Sequence, residues 1–254
     1  MVVDYEVRGH VAVITLNRPE ARNAINGEVS AGVEAAVDQL EGDDDVWVGI
    51  LTGNGPVFSA GADLKAVAGG RVNEIQTARG GFGGLVRRER TKVLIAAVDG
   101  PALAGGTELV LACDLVVAST AASFGIPEVK RSLVAGAGGL FRLPRALPPA
   151  IAMELAVTGD PISAEIAARF GMINDLVEPG TALEAALALA ARITTNAPIA
   201  VRISRRVMLA AHSANDDQLW KLSAQALAEV IKTEDFAEGP RAFIEKRPPN
   251  WTGR

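Results

Sequence analysis

Short apolar runs, each closed by turn residues, alternate with segments of helical spacing through the first half of the chain, and few folds accommodate that alternation. His10 to Leu16 alternates in polarity and gives way to Asn17-Arg18-Pro19, the pattern of a strand entering a loop; Gly27 to Leu40 then carries apolar residues at helical spacing. Val46 to Thr52 is rich in β-branched residues and stops at Gly53-Asn54-Gly55-Pro56, which predicts a second strand and a turn. Val93 to Val98 predicts a third strand ending at Asp99-Gly100-Pro101, followed by a helix from Gly105 toward Cys113 and a fourth strand over Leu115 to Ala118. This order predicts an α/β fold with a largely parallel sheet. Beyond about Pro148 the spacing is helical almost throughout, over Ile151 to Val157, Ser163 to Arg169, Thr181 to Thr194, Ile199 to His212 and Ala214 to Thr233. No Ser/Gly linker and no internal repeat divides the chain, so one α/β core is expected, with a helical part packed on it or on a neighbour. Around Leu183, Leu187 and Leu189 that part is too apolar to stand uncovered. Arg79-Gly80-Gly81-Phe82-Gly83-Gly84 is expected to be the most mobile segment, either a surface loop or a pocket lid.

Composition narrows the function classes. The chain has 254 residues, 49% of them hydrophobic, enough for a sizeable core. Only 4% are aromatic and the net charge is -5, a poor match for stacking on bases or for neutralising phosphates, so nucleic acid is not an expected partner. The single cysteine, Cys113, follows the apolar run Leu109 to Ala112 and reads as a small buried hydrophobe in a reducing compartment, with no internal disulfide. Asp4 and Glu6 near the start, with no apolar segment of secretory type and no run long enough to cross a membrane, lead to an expected cytoplasmic location. His10 and His212 are far apart and have no cysteine near them, so no zinc site is expected. The glycine clusters near residues 53, 81 and 105 match neither a dinucleotide fingerprint nor a P-loop, and no G-x-S-x-G elbow is present.

Three segments carry candidate chemistry: Phe58 to Lys65, Ala102 to Leu109 and Ser123 to Val129. Each sets small residues or a carboxylate beside a turn. Small residues let a ligand approach backbone amides, and amides at a helix start are ready donors to a developing oxyanion. Glu108 lies three residues beyond Gly105, so a helix would turn both to one side. Taken singly, Gly105-Gly106 also suits plain helix packing, and Glu128 after Pro127 also suits a carboxylate at a helix start.

In their order the segments resemble the enoyl-CoA hydratase/isomerase (crotonase) family. The resemblance extends over nearly the whole chain, through Asn17-Arg18-Pro19 with Asn23-Ala24, the three segments above, Gly136-Ala137-Gly138-Gly139 with Arg142-Leu143, Leu155 to Gly159, Gly171 to Asn174 and Phe243 to Arg247. It implies a crotonase-like α/β fold: a ββα-type spiral core over residues 1–195 and a C-terminal helical trimerisation module over residues 196–254 covering the site and the subunit interface. It also implies an acyl-CoA thioester substrate, no cofactor beyond the coenzyme A of that substrate, no metal, no membrane partner, and a homotrimer or a dimer of trimers. By the same resemblance Glu108 and Glu128 are catalytic, and the amides of Ala62 and Gly105 form an oxyanion hole. Ala60, Gly61, Ala62, Asp63, Leu64, Lys65, Gly106 and Pro127 contact the substrate or its CoA, and Phe243 and Lys246 lie near the CoA nucleotide from an adjacent subunit. Two departures are Val93, where many relatives have proline, and Ala104, where a glycine is usual. Leu147 to Ile151, Glu238-Gly239-Pro240 and the C-terminal Glu245 to Arg254 resemble the branch containing carnitinyl-CoA dehydratase, also called crotonobetainyl-CoA hydratase.

A thioester withdraws electrons, so water adding at Cβ drives negative charge onto the carbonyl oxygen, where two amides would stabilise it. Two carboxyls in different protonation states would hold and deprotonate the water and deliver a proton to Cα. Members with both glutamates are typically hydratases, and here both are present, which leads to an expected enoyl-CoA hydratase of lipid metabolism. An isomerase within the same fold and a non-catalytic RNA-binding or scaffold relative are the alternatives.

Overall fold

The computed structural model describes residues 1–70 and 72–254. Six strands form the main sheet, in the spatial order Val3–Arg8, Val11–Leu16, Val48–Gly53, Val93–Val98, Leu115–Ser119 and Asp175–Val177. The first pair is an antiparallel hairpin closed by Gly9 and His10, and every other pairing is parallel, with Ile14 opposite Leu51, Leu51 opposite Ala96 and Ala97 opposite Val117. A parallel sheet covered on both faces needs strands that are apolar on both sides. Val93–Val98 meets that need: Leu94, Ala96 and Val98 enter one core, and Val93, Ile95 and Ala97 enter the other.

Ten helices are described: α1 (Gly27–Gly42), α2 (Leu64–Ala68), α3 (Gly105–Leu111), α4 (Gly139–Ala146), α5 (Pro149–Thr158), α6 (Ala164–Arg169), α7 (Ala182–Thr194), α8 (Pro198–Ala210), α9 (Asp216–Val230) and α10 (Glu234–Glu245). Val29, Val33, Val37 and Leu40 carry α1 onto the first core. Ala186 and Ala190 carry α7 onto the second, with Leu183, Leu187 and Leu189 packed around them. The leucines that the sequence leaves in need of a cover are therefore partly covered within the chain, and they no longer argue for a neighbouring subunit. A smaller sheet, Ile162–Ser163, Ser123–Gly125 and Ala102–Leu103, lies beside the main one.

The four expected strands and the helices α1, α3 and α5 to α9 appear with small shifts of their ends. The sequence pattern does not predict the main-sheet strands Val3–Arg8 and Asp175–Val177 or the helices α2, α4 and α10. The glycine-rich run is not a surface loop: residues 80–86 are buried. Gly83 and Gly84 have φ of +61° and +66°, and a side chain there would strike Leu109 and the Ser30 carbonyl of α1, respectively. Glycine serves close approach at these positions, not mobility. Among the described residues no helix is long and apolar enough to cross a membrane.

Candidate active site

The loop from Phe58 to Asp63 is built on Asn23. Its buried side-chain amide donates to the carbonyls of Asn54 (2.9 Å) and Val57 (2.8 Å) and its Oδ1 accepts from the Arg18 N–H (2.8 Å), while Ser59 Oγ donates to the Asn23 carbonyl (2.8 Å). The Asn17 to Asn23 motif thus folds under the loop. Ala62 bridges Ile25 in parallel, and that pairing uses the Gly61 carbonyl and the Asp63 N–H, which leaves the Ala62 amide out of it. Gly61 has φ +85°, and a Cβ on it would lie 2.8 Å from the Gly105 nitrogen and 2.8 Å from Ala104 Cβ. The amides of Ala62 and Gly105 therefore belong to touching stretches of backbone, and Gly105, the first residue of α3, has no intrahelical acceptor for its N–H.

Ala104 cups this junction at φ 53°, ψ −127°, a conformation natural to glycine and strained for alanine. The glycine expected at this position on family grounds has a steric explanation. Phe82, from the glycine-rich run, closes the other side; its ring lies 2.3 Å from where a Cβ on Gly105 would sit.

Glu108 sits one turn along α3 and is 3% exposed. Its Oε1 accepts a hydrogen bond of 2.9 Å from the Gly139 N–H. Burial pushes its carboxyl up to about 7, with the nearby Glu128 adding in the same direction, while the amides of Gly139 and Ala137 and the charge of Arg142 pull it back down. Glu128 lies in the 3₁₀ turn Pro127–Arg131 that follows Ser123–Gly125. It is half-buried, burial raises its pKa above the ordinary carboxylate value, and its Oε2 is buried with no hydrogen-bond partner among the described residues. Thr107 fixes the two carriers to each other: its hydroxyl oxygen lies 2.6 Å from the Ala102 carbonyl and 2.9 Å from the Gly125 carbonyl, and accepts from the Gly125 N–H at 3.0 Å. The Ala104 N–H donates to the same Gly125 carbonyl at 2.8 Å.

Ala60, Gly61, Ala62, Gly105, Gly106, Glu108, Pro127 and Glu128 all fall in these connected segments. Asp63 is held by Arg18 Nη1 at 3.3 Å and stays readily ionised, and Leu64 and Lys65 are exposed at the start of α2. Phe243 and Lys246 stand apart: both are exposed, Phe243 on α10 and Lys246 at its C-terminal cap, and α10 is tied through the C-terminal tail to Thr195 by the Trp251 indole N–H (2.8 Å) and not to the glutamates. Within one chain the structure does not bring them to the site. Cys113 is half-buried, with its thiol pushed up to about 12 by burial, which makes it unreactive.

Sequence reasoning missed the work of residues 137–142. Gly136 to Gly139 is visible as a run of small residues, but its use as a donor to Glu108 depends on a contact across 31 positions. The available signal was the general one that a glycine turn opening a helix presents free amides to an anion. The assembled site has two carboxyls held above their usual range and two backbone amides on adjoining segments, a set able to move protons to and from a substrate whose carbonyl gains negative charge.

A family model described as enoyl-CoA hydratase/isomerase matches residues 6–254. An enoyl-CoA hydratase of Mycobacterium tuberculosis H37Rv of known structure is 51% identical, with 100% of this chain and 99% of that one covered and a TM-score of 0.96. The carnitinyl-CoA hydratase of Mycobacterium avium is 47% identical over 100% and 99% of the two chains, with a TM-score of 0.78. Among characterised sequences, the enoyl-CoA hydratase EchA19 of Mycobacterium tuberculosis is 40% identical, covering 98% of this chain and 96% of its own.

Proposed function

The chain belongs to the enoyl-CoA hydratase/isomerase family, and from that premise we propose that it adds water reversibly across the 2,3-double bond of an enoyl-CoA thioester, giving a 3-hydroxyacyl-CoA. The observation that carries this reading is a buried and a half-buried carboxyl, both raised above their usual range, on segments joined to those that carry the amides of Ala62 and Gly105. The amides would receive the thioester oxygen, and the negative charge that grows there as water attacks Cβ would be stabilised by both. A water between Glu108 and Glu128 would lose its proton to one carboxylate while the other carboxyl supplies the proton for Cα. The two are treated as a coupled pair, and the roles are shared between them. Residues 60–65 would line the path of the CoA moiety, and Gly106 and Pro127 would border the acyl group. The reaction needs no cofactor beyond the substrate's own coenzyme A.

In an assembly of three copies, or two such trimers, the exposed Phe243 and Lys246 would reach the nucleotide end of a CoA bound to an adjacent subunit. A place in cytoplasmic lipid metabolism follows from the same reading. The resemblance to a carnitinyl-CoA hydratase at 47% identity favours crotonobetainyl-CoA as a second candidate substrate.

A panel of 2-enoyl-CoA thioesters, crotonobetainyl-CoA and 3-enoyl-CoA incubated in ¹⁸O-water distinguishes these readings by mass. Incorporation of one heavy oxygen into a 3-hydroxyacyl product is expected. Double-bond migration without incorporation would make the protein an isomerase, and RNA binding without CoA binding would make it a non-catalytic relative.

A further inference from the structure

Arg142, on the first turn of α4, is half-buried and has no carboxylate salt-bridge partner among the described residues. Its guanidinium spends its donors on carbonyls instead: Nη2 on Val86 at 2.6 Å and Nη1 on Ala137 at 3.3 Å. These carbonyls belong to different segments, one at the end of the buried glycine-rich run and the other in the turn that presents Gly139 to Glu108. The turn is shaped around the guanidinium. Gly138 has φ +108°, and a Cβ there would lie 2.3 Å from Nη1. Gly139 lies close to the other partner, since a Cβ on it would sit 3.1 Å from Glu108 Oε1. A half-buried arginine whose hydrogen bonds go to carbonyls loses hydration without a carboxylate on its fork, a cost that a purely structural strut such as methionine would avoid.

We propose that Arg142 is a positioning residue for the hydration step: by bridging the Val86 and Ala137 carbonyls it holds the 137–139 turn against Glu108, so that the Gly139 N–H keeps the carboxyl aimed at the substrate. The inference rests on the hydratase reading. The charged and titratable groups around Glu108 are Glu128 from the 3₁₀ turn and Arg142 from α4; those around Arg142 are Glu108, Arg145, Arg90 and Cys113. Removing Arg142 takes away a positive charge and loosens an amide hydrogen bond, and both changes favour the protonated form of Glu108.

The test compares Arg142→Met and Arg142→Lys with the parent in the full-length protein. Two readouts are taken: hydration of crotonyl-CoA across pH, and the ¹³C titration of Glu108 in the free protein, assigned by its absence in Glu108→Gln. In Arg142→Met, kcat is expected to fall roughly 10²-fold with KM little changed, the size expected when a catalytic group is displaced by about an ångström. The Glu108 midpoint should rise. Arg142→Lys keeps the charge but offers a single ammonium in place of a fork, so it should restore the midpoint more fully than the rate. A merely structural role would lower the melting temperature and leave the midpoint and the kcat of the folded enzyme alone; that result overturns the proposal. If Arg142→Met does not fold, Arg142→Lys decides: parental kcat in that variant rejects the bridging role, and a lowered kcat supports it. If the parent hydrates no enoyl-CoA, the functional reading fails separately, and the Glu108 midpoint in the same variants still tells whether Arg142 holds that carboxyl.

Discussion

At the scale of single residues, the conflict between stability and function is sharpest at Glu108. Its carboxyl titrates at about 7 in the folded chain against an ordinary 4.5, because burial disfavours the charge. Between those values the folded chain holds more proton than the unfolded one, so stability falls as pH rises through that window and stays reduced above it. The gap corresponds to about 3 kcal/mol, at about 1.36 kcal/mol per pH unit. Glu108→Gln is therefore expected to gain stability over the parent at pH 8 and to gain little at pH 4.5, measured as the difference between urea unfolding curves at the two pH values; a difference independent of pH would contradict the buried-carboxyl account. The same substitution and Glu128→Gln should each lower kcat by at least roughly 10²-fold with modest change in KM, and the double variant should lose much less than the product of the two, because groups acting on one water fail as a unit. Near-normal hydration by Glu128→Gln would reduce Glu128 to a structural carboxyl and move the protein toward a single-base isomerase. Ala104 offers a third test. Its φ of 53° with ψ −127° costs about 1–3 kcal/mol in an alanine, so Ala104→Gly should raise the melting temperature by a few degrees with hydration retained, read by calorimetry alongside kcat. An unchanged or lowered melting temperature would show that the neighbours have relieved the strain.

At the scale of elements, the site depends on how α3 is fastened to the strand Ser123–Gly125. Thr107 makes that joint with one hydroxyl, and Thr107→Val keeps its shape while leaving the Gly125 N–H without its 3.0 Å acceptor. A loss of about 1–3 kcal/mol is expected, with a fall in kcat larger than any change in KM, because Glu108 and Glu128 are carried on the two elements it joins. Urea unfolding and steady-state kinetics of Thr107→Val against Thr107→Ser measure this, and equal kinetics in both variants would show that the joint is dispensable for alignment. The packing also limits how Gly105 is probed. Proline at this position removes the amide proposed for the oxyanion, yet its ring would meet Phe82 where a Cβ already lies 2.3 Å away. Gly105→Pro is a clean test only when paired with Phe82→Ala, and the pair should fold, bind CoA and fail to turn over.

At the scale of the whole molecule, the C-terminal helices leave Met208, Trp220, Phe243 and Ile244 at 74%, 76%, 85% and 78% exposure, large apolar side chains that a neighbouring copy could cover. An assembly in threes is expected, and light scattering that returns the mass of one chain at micromolar concentration would reject it. The sequence alone settled the α/β alternation, because a period of two and a period of 3.6 are local and are read from neighbouring residues such as Val93 to Val98 or Gly27 to Leu40. It also nominated Glu108, Glu128, Gly105 and the loop at Ala62 as a candidate set, through the order of motifs along the chain. It did not disclose Asp175–Val177, whose three residues are too few to show a period and which becomes a strand only by lying in register beside Leu115–Ser119. Nor did it reveal that the glycine-rich run is buried, since glycine signals freedom in an open chain and close approach in a packed one, and only the presence of α1 and Leu109 decides between them. The tertiary structure alone brought Gly61 against Gly105, Thr107 against Gly125 and Gly139 against Glu108, because each contact joins positions well separated along the chain whose partner is chosen by the packing of the sheet and helices between them.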